Sequence, residues 1–250
     1  MLSRLGRPAL ALVSGLALSL AFEPVAWPAV LPLCVAGFLV SVHGVRARTG
    51  FGLGLVFGAS FYLVHISWMR AVATAAWLGL SGLETFFYGV TGLVVALLTG
   101  PAAARVRFRG RAVLAWWPLW AAAAWTALEL LRSTWPFSGM PWGRLAFATV
   151  DTPVARLLPW VGMVGVSFVL ALAAAALAHL TLTRRRSWRA DVAVLLATTV
   201  GTAVAVAAPY DPGEARGTAV VAAVQGDVPG PGNDILFDHR QVTRNHVEET

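Results

Sequence analysis

The residues best suited to chemistry in this sequence fall in one stretch, "LELLRSTWPFSGMPWGRLAF", Leu128–Phe147. It carries Glu129, Arg132 and Arg144 together with Gly139, Pro141 and Trp142. Glu129 and Arg132 stand three residues apart, so on a helix they share a face and can pair. Such a pair either lets two ions sit at a membrane interface or helps hold an anionic group, and spacing alone leaves both open. The chain after Arg132, "STWPFSGMPWGRLAFATVDTPVARLLPW", contains four Pro and two Gly but stays rich in Trp, Phe, Leu and Val. It is too apolar for a solvated loop and too broken for a spanning helix. It reads as a re-entrant or interfacial segment, which is tolerated only against protein or a wet cavity. A cavity rimmed by Trp and Arg would suit a lipid, with acyl chains on the apolar walls and a phosphate near Arg132 or Arg144.

Other polar groups stand in equally apolar surroundings. His65 and Glu84 lie within or at the ends of apolar runs, where ionisable residues are functional hypotheses by default. The plainer expectations are a hydrogen-bonded packing role for His65 and a first-turn helix position for Glu84. The single cysteine, Cys34, sits in "WPAVLPLCVAGFLV" with no base nearby in sequence. It reads as a small buried side chain, not a nucleophile. No metal site and no cofactor is expected.

The elements that position these residues follow from composition. The chain is 58% hydrophobic and 12% charged, with a mean hydropathy of +0.70. Soluble domains are about a quarter charged, so this is a membrane protein by composition. We predict an α-helical polytopic membrane protein with about seven spans: Pro8–Phe22, Val25–Val42, Gly50–Met69, Gly82–Gly100, Arg111–Leu131, Val161–Thr183 and Ala190–Ala208. The first could instead be a signal peptide, since Arg4 and Arg7 precede a short apolar core.

The net charge of +7 could suggest nucleic acid, but the arginines sit in short loops between apolar runs, so no nucleic-acid partner is expected. All 19 basic residues are Arg, and the chain has no Lys. Alternate loops hold twelve arginines, at 4, 7, 46, 48, 105, 107, 109, 111, 184, 185, 186 and 189. The opposite loops hold four: Arg70, Arg132, Arg144 and Arg156. The excess marks the first set, and the N-terminus, as cytoplasmic. His65, Glu84 and Glu129 then converge on the outer leaflet. Trp27, Trp68, Trp77, Trp135, Trp142 and Trp160 also fall near that boundary, where interfacial anchoring is expected.

The division expected is a transmembrane domain over 1–208 and the beginning of a second, extracytoplasmic domain over 209–250. In the tail, Thr218–Val224 reads as a buried strand ending at a Gly/Pro-rich turn, and Asp234 opens a helical pattern. One strand and one helix cannot make a core, so the chain reads as cut shortly after its second domain begins.

These motifs resemble the apolipoprotein N-acyltransferase family. The resemblance rests on E-x-x-R (Glu129, Arg132), F-x-G-x-P-W (Phe137, Gly139, Pro141, Trp142) and P-x-x-G-x-x-G-x-S-F (Pro159, Gly162, Gly165, Ser167, Phe168). "LAFEPVAWP", "GFGLGLVFGASFYLVHISWM" and "VAAVQGDVP" support it, the last resembling the first strand and turn of a nitrilase-like domain. The resemblance implies eight membrane helices with a periplasmic nitrilase-like α/β domain before the last, in a bacterial plasma membrane. It implies transfer of an acyl chain from a phospholipid donor, through a Cys thioester, to the α-amino group of a diacylated lipoprotein acceptor. A Glu base and a Lys would assist.

None of that catalytic triad can be carried onto this sequence; the resemblance places it beyond Thr250. The lipid-side candidates remain Trp142, Arg132, Glu129, Arg144, Pro141 and Gly139. Two other readings stand beside the acyltransferase: a non-enzymatic membrane scaffold or anchor for a partner enzyme, and a small transporter. The strand-like tail disfavours both, and the lack of an inverted repeat disfavours the transporter.

Overall fold

The computed structural model describes residues 5–100, 103, 107–108, 111–112, 116–182, 188–208, 210–211, 213, 217–226 and 239–250. Its helices are α1 (Gly6–Leu18), α2 (Leu31–Val42), α3 (Ala47–His65), α4 (Thr74–Thr99), α5 (Trp117–Arg132), α6 (Leu158–Leu182), α7 (Trp188–Ala207) and α8 (His239–Glu248). A two-residue antiparallel pair joins β1 (Arg107–Phe108) to β2 (Arg111–Ala112). The first seven helices overlap the seven predicted apolar runs. Among the described residues, four stretches are helical, long and apolar enough to cross a membrane: Ala47–His65, Thr74–Thr99, Pro153–Leu182 and Trp188–Ala207.

The three shorter helices have identifiable stops and starts. At 1.5 Å per residue, the 13 residues of α1, 12 of α2 and 16 of α5 fall short of a hydrocarbon core of about 30 Å. The predicted run Val25–Val42 is interrupted by a 3-10 turn at Pro28–Val30, and α2 starts only at Leu31 with Pro32 in its first turn. α5 starts at Trp117 with Pro118 in its first turn, not at Arg111, which lies in β2. Conversely, α4 starts eight residues before the predicted Gly82, so Glu84 stands in its interior and not in its first turn.

The most extensive helix pairing among the described residues is α3 with α4. Gly50, Gly54 and Gly58 recur every four residues along one face of α3. A Cβ on Gly54 would run into the Tyr88 carbonyl and Gly89 of α4, so small residues let these backbones touch. An aromatic core fills the centre. Phe38 of α2 packs on Phe57 of α3 at 4.4 Å between ring centroids, Phe57 on Tyr88 of α4 at 5.2 Å, and Tyr88 on Trp125 of α5 at 5.4 Å. α7 is the most exposed of these apolar helices, with Leu196, Val200 and Val204 open on its surface.

The tail departs from the predicted strand. Residues 217–226 carry no strand pairing, and Val220 and Val221 are exposed. A lone extended segment has no ladder to join, so it is neither a strand nor buried. Of the predicted helix opening at Asp234, residues 234–238 lie outside the described residues; α8 covers the remainder.

Candidate functional site

The segment between α5 and α6 is held by four helices. Arg132, the last residue of α5, is 2% exposed. Its Nη1 donates to Glu84 Oε2 of α4 at 3.1 Å, to the Trp142 carbonyl at 2.9 Å and to the Met140 carbonyl at 3.2 Å. Tyr62 Oη of α3 donates to the same Trp142 carbonyl at 3.0 Å. The guanidinium also lies over the Tyr62 ring, 5.7 Å from its centroid. Glu129 Oε2 accepts from the Leu145 backbone N–H at 3.0 Å, and Ser167 Oγ of α6 accepts from the Ala146 N–H at 3.2 Å. Arg144 Nε donates to Ser133 Oγ at 2.8 Å, closing the segment on its own start.

The predicted Glu129–Arg132 pairing is therefore replaced. Arg132 is ion-paired to Glu84, 48 residues away, and Glu129 serves a backbone amide. Both carboxylates are buried, at 1% and 5% exposed, and each is satisfied in its own way: Glu84 by the Arg132 cation, Glu129 by a backbone N–H. His65 is a packing residue but not a hydrogen-bonded one. It stacks on Phe61 at 4.8 Å, and both ring nitrogens are buried without a hydrogen-bond partner among the described residues. Cys34 is buried in α2. No group of three or more His, Cys, Asp or Glu among the described residues could hold a metal ion.

The segment's backbone explains its glycines. Phe137, Ser138 and Gly139 are consecutive left-handed residues, at φ of 53°, 72° and 76°. That conformation is costly for the first two and free for the third. A Cβ on Gly139 would also strike the Ser133–Thr134 peptide. Gly143, at φ 77°, lies so close to α3 that a Cβ would meet Tyr62 Oη at 2.8 Å. Two backbone bonds close the turn, the Gly139 N–H donating to the Pro136 carbonyl at 2.7 Å and the Met140 N–H to the Arg132 carbonyl at 2.9 Å. Phe137 is 94% exposed and Trp142 about half exposed.

Trp142 stands between two cavities. One, of about 330 Å³, is lined by Trp68, Leu83, Glu84, Phe137 and Met140. The other, of about 460 Å³, is lined by Phe22, Glu23, His65, Trp68 and Asp151. Trp142 and Trp68 line both, with ring centroids 6.1 Å apart. Of the sequence candidates, Arg132 and Gly139 also line the smaller cavity; Glu129, Pro141 and Arg144 line neither.

Residues 14–176 match the family model for the apolipoprotein N-acyltransferase N-terminal domain. The chain belongs to the apolipoprotein N-acyltransferase family. It is similar to the apolipoprotein N-acyltransferase of Mycolicibacterium smegmatis, 33% identical over 96% of this chain and 41% of that protein. It is also similar to the enzyme of Methylococcus capsulatus, 32% identical over 72% of this chain and 36% of that protein. A relative named as a putative apolipoprotein N-acyltransferase in Bordetella parapertussis is 31% identical over 76% and 39%. The chain thus spans about two fifths of the length of these relatives. The matched region includes the whole segment around Trp142 and the helices that clamp it.

Three contributors to this cluster were not chosen as candidates from the sequence. Tyr62 and Ser167 lay inside quoted motifs, and only their positions in those motifs could have pointed to them. Glu84 was visible as a costly carboxylate, but its partner was not. At the other end of α6, a second polar cluster had no signal beyond polarity in an apolar run. There His179 Nδ1 and Asp191 Oδ2 are 2.7 Å apart, and Trp116 Nε1 donates to Asp191 Oδ1 at 3.0 Å. This ties α7 to α6 and to the start of α5.

Proposed function

We propose that this chain is the lipid-handling membrane part of an apolipoprotein N-acyltransferase, which moves an acyl chain from a phospholipid donor to the N-terminal diacylglyceryl-cysteine of a lipoprotein. The observation that carries the reading is the clamped segment: a buried ion pair and four helices fix Trp142 as the shared wall of two largely apolar cavities. Apolar walls with a few fixed polar groups suit a lipid. Trp142 touches the lipid. Arg132, Glu129, Gly139 and Pro141 set the conformation that presents it, and Arg144 pins the base of the turn.

The chain crosses a bacterial plasma membrane about seven times, with its N-terminus cytoplasmic and its tail extracytoplasmic. Twelve arginines on one set of loops against four on the other support that orientation. Residues 209–250 open a nitrilase-like domain on the outer side. By itself the chain transfers no acyl group: it has no Lys, and its one Cys is buried in α2. The test is incubation of the purified chain with phospholipid and a diacylated lipopeptide. Phospholipid binding without formation of triacylated product is expected. Absence of phospholipid binding would favour the scaffold reading, and product above background would refute the assignment of the chemistry elsewhere.

A further inference from the structure

Residues 1–208 contain five acidic side chains: Glu23, Glu84, Glu129, Asp151 and Asp191. Three are buried and bonded, Glu84 to Arg132, Glu129 to the Leu145 N–H, and Asp191 to His179 and Trp116. The two that remain exposed, Glu23 and Asp151, come from loops far apart in sequence, after α1 and before α6. Both line the same cavity, the one of about 460 Å³. Neither is in an ion pair among the described residues, and no Arg lines that cavity. In a chain of net charge +7, this cavity is acidic.

The rest of its lining suits a cation too. Phe22, Trp68, Trp142 and Phe147 contribute aromatic walls. Aromatic faces attract an ammonium group, and a carboxylate in a partly apolar cleft binds one more strongly than in open water. His65 also lines the cavity, and among the described residues it makes no ion pair, so it brings no competing charge pair. An anionic head would meet two carboxylates and no cation there.

We propose that the Glu23–Asp151 cavity seats the ammonium group of a lipid, while the smaller cavity across the Trp68–Trp142 wall takes uncharged chain. The proposal rests on the reading of the Trp142 segment as a lipid entrance. Two lipids of that reading carry an amine: a phospholipid with an ethanolamine head, and the diacylglyceryl-cysteine acceptor with its free α-amino group.

The test measures binding to the chain in maltoside micelles by native mass spectrometry, with four probes. These are dioleoyl phosphatidylethanolamine, dioleoyl phosphatidylglycerol, and a diacylglyceryl-cysteinyl peptide with its α-amine free or acetylated. The wild-type chain should prefer an amine-bearing probe over its matched control by about tenfold, the worth of one charge-assisted contact. Glu23→Gln with Asp151→Asn should erase that preference while leaving phosphatidylglycerol binding unchanged. Preference in the phosphatidylethanolamine arm assigns the cavity to the donor head; preference in the free-amine peptide arm assigns it to the acceptor. No preference in the wild type, or a preference that survives in the double variant, overturns the proposal. Binding of all four probes without preference leaves the lipid-entrance reading standing, whereas binding of none ends both.

Discussion

Arg132 is the residue on which the site turns. One side chain neutralises Glu84 and fixes two carbonyls of the Trp142 segment. Arg132→Ala leaves a buried carboxylate without its cation, which costs about 3–5 kcal/mol. Glu84→Leu with Arg132→Met removes both charges and should cost less than Arg132→Ala alone. Thermal melts of the three variants in detergent check the order. A double variant less stable than Arg132→Ala would mean that the buried, unpaired Glu84 carboxylate is not the dominant cost, against this account. Tyr62→Phe removes one of two donors to the Trp142 carbonyl and should cost about 0.5–1.5 kcal/mol by the same melts. At this scale the sequence was legible as an inventory. Glu84, Glu129 and Arg132 stood out because ions in apolar runs are expensive. Their pairing was not legible, because helical spacing reveals only neighbours on one helix and Glu84 comes from another.

At the scale of elements, the α3–α4 contact is the most specific feature. It depends on the absence of side chains at Gly54 and its neighbours. Gly54→Val should push α3 from α4 and cost at least about 1–3 kcal/mol, read as a lowered melting temperature. Gly52, on another face of α3 with nothing within 4 Å of a Cβ, should tolerate Ala with little change. Equal losses at both positions would show that backbone freedom, not close approach, is at stake. The apolar runs were legible because hydropathy needs only a window of sequence. Their ends were not always so. Pro28, Pro32 and Pro118 cut α2 and α5 short, and no stop signal in the sequence marked the early start of α4 at Thr74. The predicted strand at Thr218–Val224 failed for a different reason: a strand is a property of a pair, and β propensity in one segment supplies only half of it.

For the whole molecule, the orientation proposed from the arginine asymmetry puts the Trp142 site at the outer leaflet. In a Cys34→Ala background, a cysteine placed at Thr218 should react with a membrane-impermeant maleimide in intact cells. One placed at Arg46 should react only after the membrane is opened. The reverse pattern would invert the topology and move the site to the inner leaflet. Membership of the family was legible from the motifs around Trp142, which lie within the matched residues 14–176. The two cavities were not, because their walls come from stretches far apart in sequence: 21–28, 65–68 and 142–152 for the larger, 68–69, 80–84 and 132–142 for the smaller.

The central claim is that Trp142 forms a lipid-binding wall, and the direct measurement is photo-cross-linking in bilayer nanodiscs. A phospholipid carrying a diazirine on its acyl chain is activated, and the adducts are mapped by peptide mass spectrometry. Adducts should appear at Trp68 and within Phe137–Trp142, saturate with probe concentration, and be lost on competition with unlabelled phospholipid. They should fall about tenfold in Trp142→Ala, as expected for removal of an aromatic anchor from the cavity wall. Adducts spread along the exposed face of α7 without saturation, and unchanged by Trp142→Ala, would contradict the claim.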